Sequence, residues 1–174
     1  MPTIAESKAG PLVRLTRRYR FSASHRLNSP LLSKEQNDET YGKCNNPYGH
    51  GHDYVLDVTV AARVDPLRGR VIAVDTLDAF VRRIVVDPFD RHDLNTEVEE
   101  FAALVPTTEN LAAVVAARLA SAWEIAFATP GAPALEKVRI WETRNNIFEV
   151  SVGKPDGDCP ATAKTKPVEC YESR

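Results

Sequence analysis

Residues 50–64 decide the fold, and they read His50-Gly51-His52-Asp53-Tyr54-Val55-Leu56-Asp57-Val58-Thr59-Val60-Ala61-Ala62-Arg63-Val64. From residue 53 to residue 64 apolar side chains recur at every second position, which predicts a β-strand with one buried face. The apolar side chains of that face are Tyr54, Leu56, Val58 and Val60. His50 and His52 have the same parity, so both imidazoles should project from this face. One segment therefore predicts a central strand and two neighbouring candidate metal ligands.

Three further segments predict the other strands of an antiparallel sheet. Residues 12–24 place apolar side chains at one parity and the basic Arg14, Arg18 and Arg20 at the other, as expected for a strand with one solvated face. Residues 137–143 and 147–153 predict a hairpin. A short strand is also expected at residues 71–74, after a turn that contains proline and glycine.

Two helices are predicted between the strands. Asp75 is a good N-cap for the first, whose apolar residues follow a 3.6-residue period and which should end before Pro88. The second begins within residues 106–110, with a threonine cap and an early acid, and ends at residues 129–133. Residues 28–49 are rich in Asn, Ser, Pro and Gly and are predicted to form a long loop, a feature that usually serves function.

The order of these elements predicts an α+β domain, with a four-stranded antiparallel sheet and two helices on one face. The length of 174 residues fits one domain, which we expect to span residues 12–153. Residues 1–11 are expected to form a flexible N-terminal arm. Residues 154–174 are expected to form a polar C-terminal tail.

Composition narrows the class of protein. With 43% hydrophobic and 26% charged residues, the chain is typical of soluble globular proteins. No apolar run approaches the roughly 20 residues that span a bilayer, and the first residues lack the apolar core of a signal peptide, so we expect a cytoplasmic protein without a membrane partner. A net charge of −2 argues against a general nucleic-acid binder. The odd number of cysteines (Cys44, Cys159 and Cys170) argues against a disulfide framework.

The histidines are the main indication of a functional site. The chain has only four, and His25, near the end of the first predicted strand, is a third candidate ligand beside His50 and His52. Three neutral nitrogen ligands leave one position for water or substrate, the arrangement of catalytic rather than structural zinc. A single His-Gly-His is a weak signal, however, and His25 could equally be a hydrogen-bonded core histidine.

Four segments resemble the signature segments of 6-pyruvoyl tetrahydropterin synthases. They are Phe21-Ser22-Ala23-Ser24-His25-Arg26-Leu27, Lys43-Cys44-Asn45-Asn46-Pro47-Tyr48-Gly49-His50-Gly51-His52, Pro106-Thr107-Thr108-Glu109-Asn110 and Glu142-Thr143-Arg144-Asn145-Asn146. Their order and spacing match across residues 13–153. The resemblance implies a tunnelling fold (T-fold), in which three subunits close a twelve-stranded barrel and two trimers stack as a homo-hexamer with active sites between subunits.

The resemblance also implies a role for each matching residue. His25, His50 and His52 would bind Zn²⁺, Cys44 would be the general base, and Glu142 would anchor the pterin. Thr107 and Thr108 would add hydrogen bonds to the pterin ring, although both could equally be helix-capping residues. The implied substrate is 7,8-dihydroneopterin triphosphate, which would lose triphosphate to give 6-pyruvoyl tetrahydropterin. Arg26, Lys43 and the basic face of the first strand are candidate triphosphate contacts, or else solvated surface charge.

One segment departs from the family pattern. The family usually has an Asp-His pair, followed by two residues and a leucine, that relays the proton of the cysteine. Here Asp90 matches the acid, Arg91 stands in the place of the histidine, and His92 comes one residue late. We expect Asp90 and His92 to form the relay; the alternative is that Arg91 lowers the thiol pKa instead.

Two other functions remain open at this stage. The first is a 6-carboxytetrahydropterin synthase of the queuosine (7-deazaguanine) pathway, which acts on the same substrate. Five residues separate Cys44 from His50, as in the pyruvoyl enzymes, whereas the carboxy enzymes typically have three. The second is a catalytically silent zinc- and pterin-binding protein. Arg91 in the relay favours that interpretation, and the retained Cys44 and Glu142 argue against it.

Overall fold

A five-stranded sheet organises the structure, a computed structural model that describes residues 10–129 and 131–152. The strands are β1 (Leu12–His25), β2 (His50–Arg63), β3 (His92–Asp93), β4 (Ala134–Trp141) and β5 (Ile147–Ser151). The α-helices are α1 (Lys34–Tyr41), α2 (Val74–Val81), α3 (Asp87–Phe89), α4 (Leu94–Glu97) and α5 (Thr108–Ala126). The strands are arranged in the order β3-β1-β2-β4-β5.

The β1–β2 pair is the longest ladder of the sheet. All fourteen residues of β1 pair with β2, from Leu12 opposite Arg63 to His25 opposite His50. This confirms the predicted strands at residues 12–24 and 53–64, although β2 begins three residues earlier than expected. The pairing places His25 beside the two histidines of β2 at one end of the sheet.

The predicted four-stranded antiparallel sheet is wrong in one respect, because β3 adds a fifth strand. β3 has only two residues and runs parallel to β1, with Ala23 opposite His92 and Ser24 opposite Asp93. Two residues are too few to produce a periodic pattern, so sequence alone gives no signal for this strand. The predicted hairpin of β4 and β5 is confirmed, with β4 beginning three residues earlier than expected.

The core lies between one face of the sheet and the helices. The alternation of β2 buries Tyr54, Leu56, Val58 and Val60 completely, as predicted. Helix α5 contributes Leu111, Val115 and Leu119 to the same cluster, and α2 contributes Leu77, Phe80 and Val81. Both predicted helices therefore pack on one face, as amphipathic helices do when they bury an apolar stripe.

The long loop predicted at residues 28–49 is wrong, because it contains α1 and a 3₁₀ turn at Gly42–Asn45. Ser33 and Gln36 form a reciprocal capping box at the start of α1. Asn37 is buried and its amide donates to the carbonyl oxygens of Ser29, Leu32 and Ser33. Polar capping, rather than an apolar face, stabilises this helix, which is why hydrophobic periodicity did not reveal it.

The region of the first predicted helix also differs from expectation. Residues 71–73 form no strand, and α2 starts after the N-cap Ala73 rather than after Asp75, which lies in the first turn. The helical path does not stop before Pro88, because a π-helical segment, Arg82–Val86, leads into α3. Pro88 lies in α3, two residues after the π-helical segment, so the helical path continues past a residue that cannot donate a backbone hydrogen bond.

The two ends of the chain fall outside the described residues. The predicted arm, except for residues 10 and 11, and the predicted tail with Cys159 and Cys170 belong to these ends. Within residues 10–129 and 131–152, no helix is long and apolar enough to cross a membrane.

Thr107 caps α5, because its hydroxyl oxygen accepts the backbone N–H of Asn110 at 3.3 Å. We expect Thr107→Ala to lower the free energy of unfolding by about 1 kcal/mol, since an N-cap loss of this kind costs 0.5–2 kcal/mol. Thr107→Ser keeps the oxygen and should unfold like the wild type in urea titrations. A Thr107→Ala protein of unchanged stability but weakened pterin binding would show instead that Thr107 contacts the ring.

Candidate active site

Three histidine side chains meet at the end of the β1–β2 ladder. One ligating atom from each of His25, His50 and His52 lies within 4.8 Å of the others. The Nε2 atoms of His25 and His50 are 3.3 Å apart. Because His25 is opposite His50, and His52 projects from the same face two residues on, the strand register alone creates this cluster. The structure thus brings together all three predicted metal ligands.

The buried hydrogen bond of His25 fixes which ring nitrogen is free. Its Nδ1 lies 2.7 Å from the carbonyl oxygen of Pro106, and a carbonyl oxygen only accepts, so Nδ1 carries the proton. Nε2 then keeps its lone pair and faces the other two rings. Burial lowers the pKa of His25, and burial also lowers the pKa of His50. Both shifts favour the neutral imidazole, the form that binds a metal.

The cluster fits a tetrahedral metal ion. With zinc–nitrogen bonds of about 2.0–2.1 Å, two tetrahedral ligands have nitrogen atoms roughly 3.3–3.4 Å apart, close to the His25–His50 separation. The Nε2 atom of His52 is buried and has no hydrogen-bond partner among the described residues. Leaving such an atom unsatisfied costs about 1–3 kcal/mol. A cation between the three rings would satisfy this atom.

Glu142 and Thr108 lie directly beside the histidines. Thr108 Oγ1 donates to Glu142 Oε1 at 2.6 Å, and the same carboxylate oxygen is 3.7 Å from His52 Nε2. Glu142 follows the last residue of β4, and Thr108 opens α5, so two distant segments meet here. Of the two predicted pterin-contacting threonines, only Thr108 contacts Glu142 in the structure. Thr107 is occupied as the helix cap.

Tyr54 is a residue of this site that the sequence analysis assigned only to the core. Its side chain is fully buried against the rings of His25 and His52, and its hydroxyl has no hydrogen-bond partner among the described residues. Burial, with a smaller contribution from the nearby Glu142 carboxylate, raises the pKa of Tyr54. Its position two residues after His52, on the same strand face, could have indicated this placement.

Cys44 is a partly buried free thiol. It belongs to the 3₁₀ turn, and its carbonyl oxygen accepts the N–H of Leu27, which ties this turn to the end of β1. Gly49, with a φ of 66°, allows the chain to approach β1, because a Cβ there would lie 2.9 Å from the carbonyl oxygen of His25.

Arg26 has a structural role in the same region. Its guanidinium donates to the backbone and side-chain oxygens of Asn45, next to Cys44. The side chain therefore supports the cysteine-bearing turn. The alternative of a freely solvated surface charge does not apply to this residue.

Asp90 and His92 lie beside the end of β1, where His92 pairs with Ala23. His92 lines a cavity of about 310 Å³ together with Ser24, His52 and Arg91. Its Nδ1 lies 2.8 Å from the carbonyl oxygen of Asp90. The Asp90 carboxylate instead accepts the N–H of Ser22. Within the described part of the chain, no hydrogen bond joins the Asp90 carboxylate to the imidazole of His92, or His92 to Cys44.

Comparisons with known proteins show which family this chain is similar to. A family model described as 6-pyruvoyl tetrahydropterin synthase matches residues 14–152. The chain is 42% identical over 149 residues to a 6-pyruvoyl tetrahydrobiopterin synthase of Poecilia reticulata, covering 83% of this chain and 96% of that protein. It is 41% identical over 133 residues to the Homo sapiens 6-pyruvoyl tetrahydrobiopterin synthase, covering 76% and 87%. The solved structure of Caenorhabditis elegans 6-pyruvoyl tetrahydropterin synthase has a TM-score of 0.73 and 38% identity, covering 82% and 97%.

The histidine cluster predicts metal-dependent stability. Removing the metal with a chelator should lower the melting temperature, and adding zinc at 100 times its dissociation constant should restore about 2.7 kcal/mol. His52→Ala should lose most of this stabilisation and most of the bound metal, measured by elemental analysis. His92→Ala is the matched control and should keep both, because His92 is not part of the cluster. Equal metal content in the two variants would contradict the assignment.

Proposed function

Because the chain belongs to the 6-pyruvoyl tetrahydropterin synthase family, we propose that it converts 7,8-dihydroneopterin triphosphate to 6-pyruvoyl tetrahydropterin and triphosphate. The main support from geometry is the meeting of three metal-ligating histidines with Glu142 and Thr108 in one place. A metal centre beside a carboxylate suits a substrate whose hydroxyls react and whose ring is recognised by hydrogen bonds. The animal relatives at about 40% identity carry the name of this activity.

We assign the metal as Zn²⁺, held by His25, His50 and His52. An all-imidazole set of three ligands is typical of catalytic zinc with an open fourth position. Bound there, zinc would act as a Lewis acid that polarises a substrate oxygen. The Pro106 carbonyl keeps His25 in the ligating tautomer, in the manner of a second-shell hydrogen bond.

Glu142 is the proposed anchor for the pterin ring. A carboxylate accepts only, and its two oxygens can receive the ring amide N–H and the exocyclic amine as a pair. Thr108 donates to one of these oxygens and so fixes the orientation of the carboxylate before the ring arrives. Glu142 Oε1 lies 3.7 Å from His52 Nε2, so a ring held by Glu142 would lie beside the three histidines.

Cys44 is the proposed general base, and His92 the proposed acceptor of its proton. A thiol is mostly protonated at neutral pH, so Cys44 needs a base or a positive charge within reach. His92 donates through Nδ1 to the Asp90 carbonyl and keeps Nε2 as the accepting nitrogen. Since no hydrogen bond joins the two side chains among the described residues, we place Cys44 and His92 at a contact between subunits.

A trimer with a twelve-stranded barrel, stacked as a hexamer, would create such contacts. The outer edge of β1 pairs with β3 only at Ala23 and Ser24, so most of a fourteen-residue strand is open along the described chain. β5 forms the other end of the sheet. Open edges of this length are usually covered, and pairing with neighbouring copies would close them. The four long strands of each subunit supply twelve in a trimer.

Incubation of the purified protein with 7,8-dihydroneopterin triphosphate without oxygen should release triphosphate and 6-pyruvoyl tetrahydropterin, identified by mass. Cys44→Ala should lower kcat by about 10²–10⁴-fold, the usual contribution of a general base. Its zinc content should not change. A 6-carboxytetrahydropterin product with acetaldehyde would identify the enzyme of the 7-deazaguanine route instead. Bound but unreacted substrate would identify a silent binder.

Glu142→Gln should raise KM for the same substrate about tenfold or more, because one hydrogen bond to a charged group is worth about 1.5–3 kcal/mol. The glutamine amide would present N–H groups to the donors of the ring. Glu136→Gln is the matched control, since Glu136 lies on β4 but pairs with Arg14 at the surface. Equal KM values for the two variants would remove Glu142 from pterin recognition.

A further inference from the structure

Asp90 and Arg91 together take the place of a neighbouring strand at Ser22. The Asp90 Oδ1 atom accepts the N–H of Ser22 at 2.8 Å, and the N–H of Arg91 donates to the carbonyl oxygen of Ser22 at 2.5 Å. Both backbone groups of Ser22 on this edge are therefore satisfied, one of them by a side chain. The carboxylate acts here as a substitute for a backbone carbonyl oxygen.

Asn95 makes the equivalent contact at the other end of the segment. Its side-chain oxygen accepts the N–H of Arg26 at 2.7 Å, and its amide donates to the Arg26 carbonyl oxygen at 3.0 Å. Between these two side-chain contacts, β3 pairs with Ala23 and Ser24. Side chains at both ends thus extend a two-residue strand into a continuous closure of the β1 edge from Ser22 to Arg26.

The closure determines where His92 lies. Arg91 has a φ of 63°, a left-handed conformation that costs a non-glycine residue roughly 1–2 kcal/mol, so the contacts on either side must hold it. Its side chain is 89% exposed, and its Nε lies 3.7 Å from Asp90 Oδ2. The next residue, His92, turns back to the Asp90 carbonyl oxygen. Arg91, which stands at the family's histidine position, therefore faces solvent, and the imidazole of His92 is oriented by the carbonyl of Asp90.

We propose that Asp90 is a positioning residue whose carboxylate holds the β1 edge, and that the proton acceptor His92 works without the Asp90 carboxylate as its partner. The proposal rests on the proposed function only for the role of His92 as acceptor. Oriented by the Asp90 carbonyl, His92 keeps Nδ1–H as donor and offers Nε2 to the incoming proton. The negative charge of Asp90 is not part of the relay in this chain.

One substitution can test whether the Asp90 carboxylate is the partner of His92 or only an acceptor that holds the β1 edge. In a carboxylate–imidazole pair the charge is essential, and an Asp→Asn change lowers kcat by about 10⁴-fold in the serine-protease example. In the arrangement found here, an asparagine oxygen can accept the Ser22 N–H as the carboxylate does. Asp90→Asn should therefore keep kcat within about threefold of the wild type and leave the pH profile of kcat unchanged, since both depend on His92.

Asp90→Ala removes the acceptor and should lower kcat at least tenfold, with zinc content unchanged. His92→Ala should lower kcat by about 10²–10⁴-fold, as expected for loss of a proton acceptor. Asp87→Asn is the matched control for charge, because this exposed acid lies three residues upstream and has no part in the edge. If Asp90→Asn is folded, binds zinc and is as inactive as Asp90→Ala, the charge is required and the proposal is wrong. Full activity in both Asp90→Asn and Asp90→Ala would also contradict the proposal.

Two measurements test the proposal independently of turnover. Amide hydrogen exchange at Ser22 should stay slow in Asp90→Asn and become fast in Asp90→Ala. The ¹⁵N chemical shifts of the His92 ring should report the Nδ1–H tautomer in the wild type and in Asp90→Asn. If the wild type converts no substrate, the proposed function fails, yet these results still decide the role of Asp90. Fast exchange at Ser22 in Asp90→Asn, or an Nε2–H tautomer of His92, would contradict the proposed positioning role of Asp90.

Discussion

The antiparallel register between β1 and β2 is the constraint on which the rest of the structure depends. Because successive side chains of a strand project from opposite faces, a slip of one residue would move every side chain of β1 to the wrong face. The same register that buries Tyr19 and Phe21 places His25 opposite His50. The same register therefore determines both the packing of the core and the geometry of the histidine cluster. The free energy that stabilises the core also holds the candidate ligands in place.

Sequence patterns predicted those parts of the fold that repeat over many residues. β1, β2, the hairpin and α5 each bury one face, so their periodicity is visible along the chain. The remaining elements depend on contacts that periodicity does not record. Helix α1 depends on the Ser33–Gln36 capping box, and β3 exists because Asp90 and Asn95 bond to the edge of β1 from either side. A capping box can be found in sequence, but a two-residue strand held by tertiary hydrogen bonds cannot.

The residues of the candidate site also divide into those that sequence patterns predicted and those that they did not. The three histidines could be predicted because two share one strand and the third lies near the end of its partner. Glu142 and Thr108 are 34 residues apart, and only the packing of α5 against β4 brings them together. For that reason their roles came from a family resemblance and not from spacing. Tyr54 was predicted as core and is buried as core, yet its ring packs against the rings of His25 and His52.

Two buried polar atoms of the site link the stability of the fold to its proposed metal. His52 Nε2 and Tyr54 Oη are buried without partners among the described residues, and buried polar atoms of this kind usually have one. Both lie on β2, in a fourteen-residue ladder whose inward side chains form part of the core, and this packed scaffold offsets the cost. A cation between the three rings would remove the cost at His52, and its binding free energy would then add to the stability of the fold. Metal affinity and folding are therefore coupled through the same strand ends, and substitutions at the cluster should affect both.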